Sequence, residues 1–417
     1  MTTTGTDLLP RLAEAAAGAV REGGADDHVD GMPCRWVVSP ADTAQVAAVM
    51  RTAHAAGLAV VPRGSGSKLT WGTVPERLDV ILDLSALDRL VEHAAGDLIT
   101  VVGAGRLVDD LQRDLAGSGQ WLAVEPSRPG TVGGLVATAS TGPTRLLHGP
   151  VRDLVIGTTM VRADGVVARS GGKVVKNVAG YDLGKLLTGS FGTLGVLTEV
   201  AFRLHPLAEA HGWVTVPVAS ARHAQALVQG VIHSHLVATA CELDRPAGGG
   251  ATLAVRLDGI APGVAARTAA ALSLLGDGAR SADAAPPWWG AEPGQPGEVL
   301  LKLTHEIAPL TALLDAVDAA AERSSVSIDV RGSVAVGTVL ARLRGIPDRA
   351  AIATVVDELR SAAPRFGGTV VLLEGDPDTK RMLDVWGPAK GLDLMRSVKQ
   401  QLDPGRTLSP GRFVGGI

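Results

Sequence analysis

Residues 171–200 read GGKVVKNVAGYDLGKLLTGSFGTLGVLTEV, with seven glycines, three lysines, Asn177 and the chain's only tyrosine, Tyr181, ahead of an apolar tail. A buried strand needs none of those glycines, and each costs conformational entropy on folding. They imply backbone brought close to another surface. Two earlier loops carry the same signature: RGSGSK at 63–68, directly after an apolar run, and PGTVGG at 129–134. The three clusters are expected to close on one bound molecule.

Composition narrows the function classes. The 417 residues are 46% hydrophobic and 20% charged, enough for a large core and two or three domains. Net charge is −4 and the pI about 6.2, so no basic footprint for nucleic acid exists. The two cysteines, Cys34 and Cys241, lie far apart and suit a reducing compartment. The first residues, MTTTGTDLLPRLAEAAAG, lack the basic flank of a signal peptide. No run reaches the ~18 apolar residues of a membrane span. A cytoplasmic protein that meets a membrane only through partners is expected.

Along the chain, 39–57 predicts a helix with Ser39 as N-cap, Pro40 at the first helical position and Gly57 as stop. Strands follow at 58–62, 80–84 and 98–102. A helix then places Leu107, Leu111 and Leu115 on one face and stops at Gly117. Residues 158–162 and 166–169 flank Ala163-Asp164-Gly165, a hairpin signal. After Pro206, strands and helices alternate in two rounds. The second has the full βαββαβ order of a ferredoxin-like unit, whereas the first lacks a clear final strand. The domains expected are 1–206 (subdomains about 30–118 and 119–206), a cap at 207–380, and a tail at 381–417 packing back on the first domain. In the loop 282–298, Trp288 and Trp289 either tuck against the cap or form a docking patch.

Successive main-chain N–H groups in a glycine turn can hold a pyrophosphate, because no side chain stands between. Residues 63–68 fit that demand, with Ser65 and Ser67 as added donors. A Rossmann fingerprint would need Gly at 69, where Leu69 stands. A P-loop would need four residues between Gly180 and the Gly-Lys pair, and only three are present. Ser140-Thr141 add hydroxyls after the second loop. No Gly-x-Ser-x-Gly elbow supports hydrolase chemistry.

Taken together, PRGSGSK, PGTVGGLVATASTG, HGPVRDLVIGTTMVRADG, KVVKNVAGYDLGKLLTGSFGTLGVLTEV and the tail DPGRTLSPGR resemble the vanillyl-alcohol-oxidase, or PCMH-type, FAD-binding flavoproteins. Within them the chain is similar to the smaller FAD-binding subunit of bacterial glycolate oxidases. The resemblance implies an α+β fold: two α/β subdomains around FAD, plus a ferredoxin-like α+β cap. It places Arg63, Gly64, Ser65, Gly66, Ser67 and Lys68 at the pyrophosphate. Thr131, Gly133 and Gly134 would approach pyrophosphate and ribityl, and Ser140 and Thr141 the chain or ring. Arg152 and Asp153 would lie near the cofactor, and Gly195 and Leu197 would offer backbone groups. Ser67 and Lys68 stand where some relatives carry a flavin-linked His, so the FAD is expected to be non-covalent.

The implied activity is oxidation of a small 2-hydroxy acid, in a complex with a catalytic flavoprotein subunit and an iron–sulfur subunit. The alternatives are a non-catalytic subunit that holds FAD, and a stand-alone oxidase of another alcohol or sugar. Lys173 and Lys176 are candidates to stabilise an anionic flavin, or are surface lysines. Tyr181 would reach the ring or pack structurally. His305-Glu306 and Arg331 are cap-side polar groups. Related catalytic subunits use clustered metal histidines that this chain lacks, so no metal is expected, and no catalytic base stands out.

Overall fold

The computed structural model describes residues 8–173 and 180–417. The first long helix runs Thr43–Ala55, three residues later than Ser39 as N-cap would place it. Asp42 is the cap: its backbone is extended and its carboxylate accepts the Gln45 N–H at 2.8 Å. A short carboxylate there satisfies an amide with no intrahelical partner. Val46, Val49, Met50 and Ala53 bury against strands Trp36–Val38, Val60–Arg63 and Val80–Asp83. Those three strands are parallel, and Val20–Glu22 pairs antiparallel at the edge.

A five-stranded antiparallel sheet follows, in the order Val167–Gly171, Val155–Val161, Val196–Arg203, Ile99–Gly103 and Leu90–Ala94. The tail of the 171–200 stretch is its central strand. The Asp164-Gly165 hairpin closes as expected, with Gly165 at φ +80°. Helix Val108–Ala116 buries Val108, Leu111 and Leu115 beside this sheet and ends at Gly117.

Residues 210–374 build one eight-stranded antiparallel sheet. Its order is Arg280–Ala282, Ala210–Val218, Ala251–Gly259, Ala240–Arg245, Ile328–Ser333, Thr338–Leu343, Val299–Thr304 and Val370–Glu374. This is two ferredoxin-like units joined edge to edge, where Asp244 pairs with Arg331. The final strand missing from the first round is Arg280–Ala282: three exposed residues with no apolar alternation to betray them.

Helices Ala221–Ile232, Ala261–Leu275, Leu310–Ser324 and Arg349–Phe366 cover one face of that sheet. Cys241, Leu243, Val255, Leu301, Leu303, Val330 and Ala341 point into that core. Strand side chains alternate between faces. Glu242, Asp244, Arg256, Lys302, Arg331 and Arg342 therefore share the helix-free face. That face meets the N-terminal half: Arg256 pairs with Glu125 at 2.6 Å. The tail also returns there. Lys399 donates to the Thr193 carbonyl at 2.8 Å, and Leu408 bridges Val60.

The main polar joint is an alternating ring. Arg128 bonds Glu292 at 2.7 Å and Glu374 at 2.6 Å, while Arg342 bonds the same two at 2.8 and 3.0 Å. Its side chains are 2–19% exposed. Removing one cation from such a buried cluster leaves a carboxylate charge uncompensated. Arg128→Met should cost about 3 kcal/mol or more in urea unfolding; a loss within experimental error would show that the ring does not hold the halves together.

Candidate functional site

Three glycine loops line one open crease of about 870 Å³ between the two N-terminal sheets. Arg63, Gly64, Ser65, Gly66, Ser67 and Lys68 form one wall, Thr131, Gly133 and Gly134 another, and Gly195 and Leu197 a third.

The first loop packs directly on the second. A Cβ on Gly64 would fall 2.1 Å from the Thr131 hydroxyl. Gly66 sits at φ +78°, a conformation that favours glycine. Among the described residues, none of the main-chain N–H groups of 64–68 finds an acceptor. Consecutive unsatisfied N–H groups in a turn are a ready anion cradle. The second loop differs. The N–H groups of Val132, Gly133 and Gly134 donate to Arg106, Ala104 and the Thr131 hydroxyl. It contributes shape and close approach, and its amides at 132–134 are already spent.

The cations divide in the same way. The Arg63 guanidinium is taken by Asp27 at 3.1 Å and Asp83 at 2.8 Å, so it anchors the loop. Lys68 is buried without an acceptor among the described residues, and burial, with repulsion from Arg128, lowers its ammonium to about 8. Arg412, from the tail, also lines the crease. It is fully buried, donates to the Leu69 carbonyl at 2.7 Å, and keeps one terminal nitrogen unpartnered. Burial pulls it down to about 10. Sequence reasoning singled out the SPGR tail but gave Arg412 no role; only the return of the tail brings it here.

Ser140 and Thr141 line a second cavity of about 810 Å³ between the N-terminal half and the helix-free cap face. Thr138 borders both spaces and bonds Ser140 at 2.8 Å. Arg331 lines this cavity but is held by Asp244 at 2.7 Å. Trp288 lines it too, 5.7 Å from the Arg331 guanidinium, and Trp289 packs edge-on to Trp213 at 4.4 Å. Both tryptophans are tucked against the cap.

Other expected groups lie elsewhere. Arg152 and Asp153 line neither cavity and pair with each other at 3.8 Å, half exposed. Lys173 pairs with Glu92 on the surface. Tyr181 is 90% exposed, so it is not a packed structural tyrosine. Lys176 lies outside the described residues. His305 is buried, bonds the Glu306 carbonyl at 2.6 Å and borders neither cavity. Among the described residues, no three His, Cys, Asp or Glu side chains are grouped to hold a metal.

Comparison with known proteins fits this geometry. Residues 34–171 match the FAD binding domain family. Glycolate oxidase subunit GlcD of Bacillus subtilis is 26% identical over 90% of this chain and 88% of its own length. Glycolate oxidase subunit GlcE of Escherichia coli is 39% identical over 35% of this chain and 42% of its own. D-lactate dehydrogenase of Archaeoglobus fulgidus is 36% identical over 41% of this chain and 38% of its own. The solved structure of alkyldihydroxyacetonephosphate synthase superposes with a TM-score of 0.69 at 16% identity, covering 91% of this chain and 78% of that one. That likeness shows a shared fold. An unsatisfied amide cradle, glycine walls and a buried Lys68 with no acceptor among the described residues suit a dinucleotide pyrophosphate, and with the match over 34–171 they mark a PCMH-type FAD-binding domain in an FAD-dependent oxidoreductase.

Proposed function

We propose that this chain is an FAD-binding oxidoreductase subunit of a glycolate-type, 2-hydroxy acid oxidase or dehydrogenase complex, with its own flavin as the first electron acceptor. The observation that carries the reading is the pair of cavities meeting at Thr138: a glycine-walled crease on one side, a charged space under the cap on the other. The names of the matched relatives, two glycolate oxidase subunits and a D-lactate dehydrogenase, supply the substrate class.

The amides of 64–68 and Lys68 would hold the pyrophosphate, with Thr131, Gly133 and Gly134 against the adjoining chain. Gly195 and Leu197 would close the third wall. Bound FAD supplies a two-electron acceptor for an alcohol carbon. Ser140 and Thr141 would face the substrate side of that junction. With two separated cysteines the chain holds no iron–sulfur ligand set of its own. Electrons would leave through a partner flavoprotein and an iron–sulfur subunit. We place the complex in the cytoplasm; no helix among the described residues is long and apolar enough to cross a membrane.

Mixing the purified yellow chain anaerobically with glycolate or D-lactate should bleach its flavin band. A band that persists until a partner subunit is added would instead assign this chain to holding the cofactor. Gly66→Val forces a β-branched residue to φ +78° in the cradle. It should lower FAD affinity about tenfold or more, at about 1–2 kcal/mol of backbone strain. Unchanged flavin content after dialysis would remove the 63–68 loop from the cofactor site.

A further inference from the structure

The cavity under the cap has a charge balance that does not close. Five ionisable side chains line it: Glu125, Arg145, Glu242, Lys302 and Arg331. Arg331 is neutralised by Asp244, and Glu125 shares Arg256, at 2.6 Å, with Asp258 at 2.8 Å. Glu242 is buried, accepts the Ser333 hydroxyl, and has no cation among its partners. Burial, with Glu125 nearby, raises its carboxyl to about 8, so it is mostly neutral near pH 7.

Arg145 and Lys302 remain. Neither side chain has an ion-pair or hydrogen-bond partner among the described residues. Burial lowers both, and the Arg145 charge lowers Lys302 further. Asp153, the anion that acts on Arg145, is itself paired with Arg152. Two half-buried cations, one from each half of the chain, line the same cavity and repel each other. A third donor is idle in the same cavity: the Trp71 indole N–H is buried without an acceptor.

We propose that Arg145 and Lys302 clamp the carboxylate of a small 2-hydroxy acid, and that Glu242, held by Ser333, receives its hydroxyl. This rests on the substrate class proposed above and assigns it residues. Arg145 comes from the N-terminal half and Lys302 from the cap sheet, so the bound acid would bridge them. A carboxylate between two cations replaces their repulsion with charge-assisted hydrogen bonds. A neutral Glu242 can donate to or accept from the hydroxyl. An ionised one would repel the carboxylate.

The sign of the pH dependence follows. Raising pH through about 8 ionises Glu242, and the lowered pKa of Lys302 acts in the same direction by removing a cation. Carboxylate affinity should therefore be highest below that point and fall above it.

Trp71 and Trp288 line the cavity, so tryptophan fluorescence of the flavin-loaded protein reports its occupancy. Glycolate and D-lactate should give saturable changes near pH 7. Arg145→Met and Lys302→Met should each weaken binding about tenfold or more, the loss of a hydrogen bond to a charged group. The exposed Lys390→Met should not. Glu242→Gln, which stays neutral, should keep binding near pH 7 and lose less affinity between about pH 7 and pH 9 than the parent. The flavin absorbance of the same samples tests the cofactor reading separately. Fully loaded yellow protein with no saturable response would overturn the carboxylate site and leave FAD binding intact. Equal affinity for chloride, or Arg145 and Lys302 variants that bind like the parent, would overturn it as well.

Discussion

The two halves of this chain meet through alternating charges. Each of Glu292 and Glu374 is held by both Arg128 and Arg342, and each arginine spans both carboxylates. Buried ion clusters add less to stability than their Coulomb energy suggests, because every member is stripped of water. What this one fixes is position. Arg128 also donates to the Ser67 carbonyl at 3.3 Å, and its guanidinium stands 5.6 Å from the Trp71 ring. One side chain therefore ties the 63–68 loop, the wall of the second cavity and the cap sheet. The distance between crease and cap is set at that point.

That joint also explains where unpaired charge collects. The ring consumes its own carboxylates, and Asp27 and Asp83 consume Arg63. Lys68 is left on one side, and Arg145 and Lys302 on the other, without an ion-pair partner among the described residues. In a low-dielectric space an unmatched cation is costly, and a bound anion removes the cost. A pyrophosphate in the crease and a carboxylate under the cap, as proposed, would be the same electrostatic solution applied twice, on either side of Thr138.

Much of this was legible in the sequence. The short apolar runs of LDVIL and ITVVG and the alternation of the cap strands marked the sheets. The three glycine clusters marked the crease. Period two also carried more than it was asked to. In ACELDR, VLLKLT and TVLARL the residues between apolar positions are Glu242, Lys302 and Arg342, on the face that meets the other half. Nothing in one strand tells which face another domain will cover, so the pattern alone gives these residues no role. Pairs such as Arg128 with Glu374, or Arg412 with the Leu69 carbonyl, span hundreds of residues and leave no local trace. The strand Arg280–Ala282 was invisible for the opposite reason: it is held by backbone pairing to Trp213–Thr215 and buries nothing.

The glycines themselves argue for a finer reading of such motifs. At Gly64, Gly133 and Gly142 an added Cβ would strike the protein's own Thr131, Ala104 or Glu125, not empty ligand space. Those glycines let loops approach one another, so a glycine cluster first encodes convergence of the chain. Ligand binding is written elsewhere, in which polar groups are left over after the loops have met. The 132–134 amides are consumed at home, whereas those of 64–68 are not. Two glycine loops that look alike in sequence thus do different work: one shapes the crease, and the other keeps donors free to hold a charge within it.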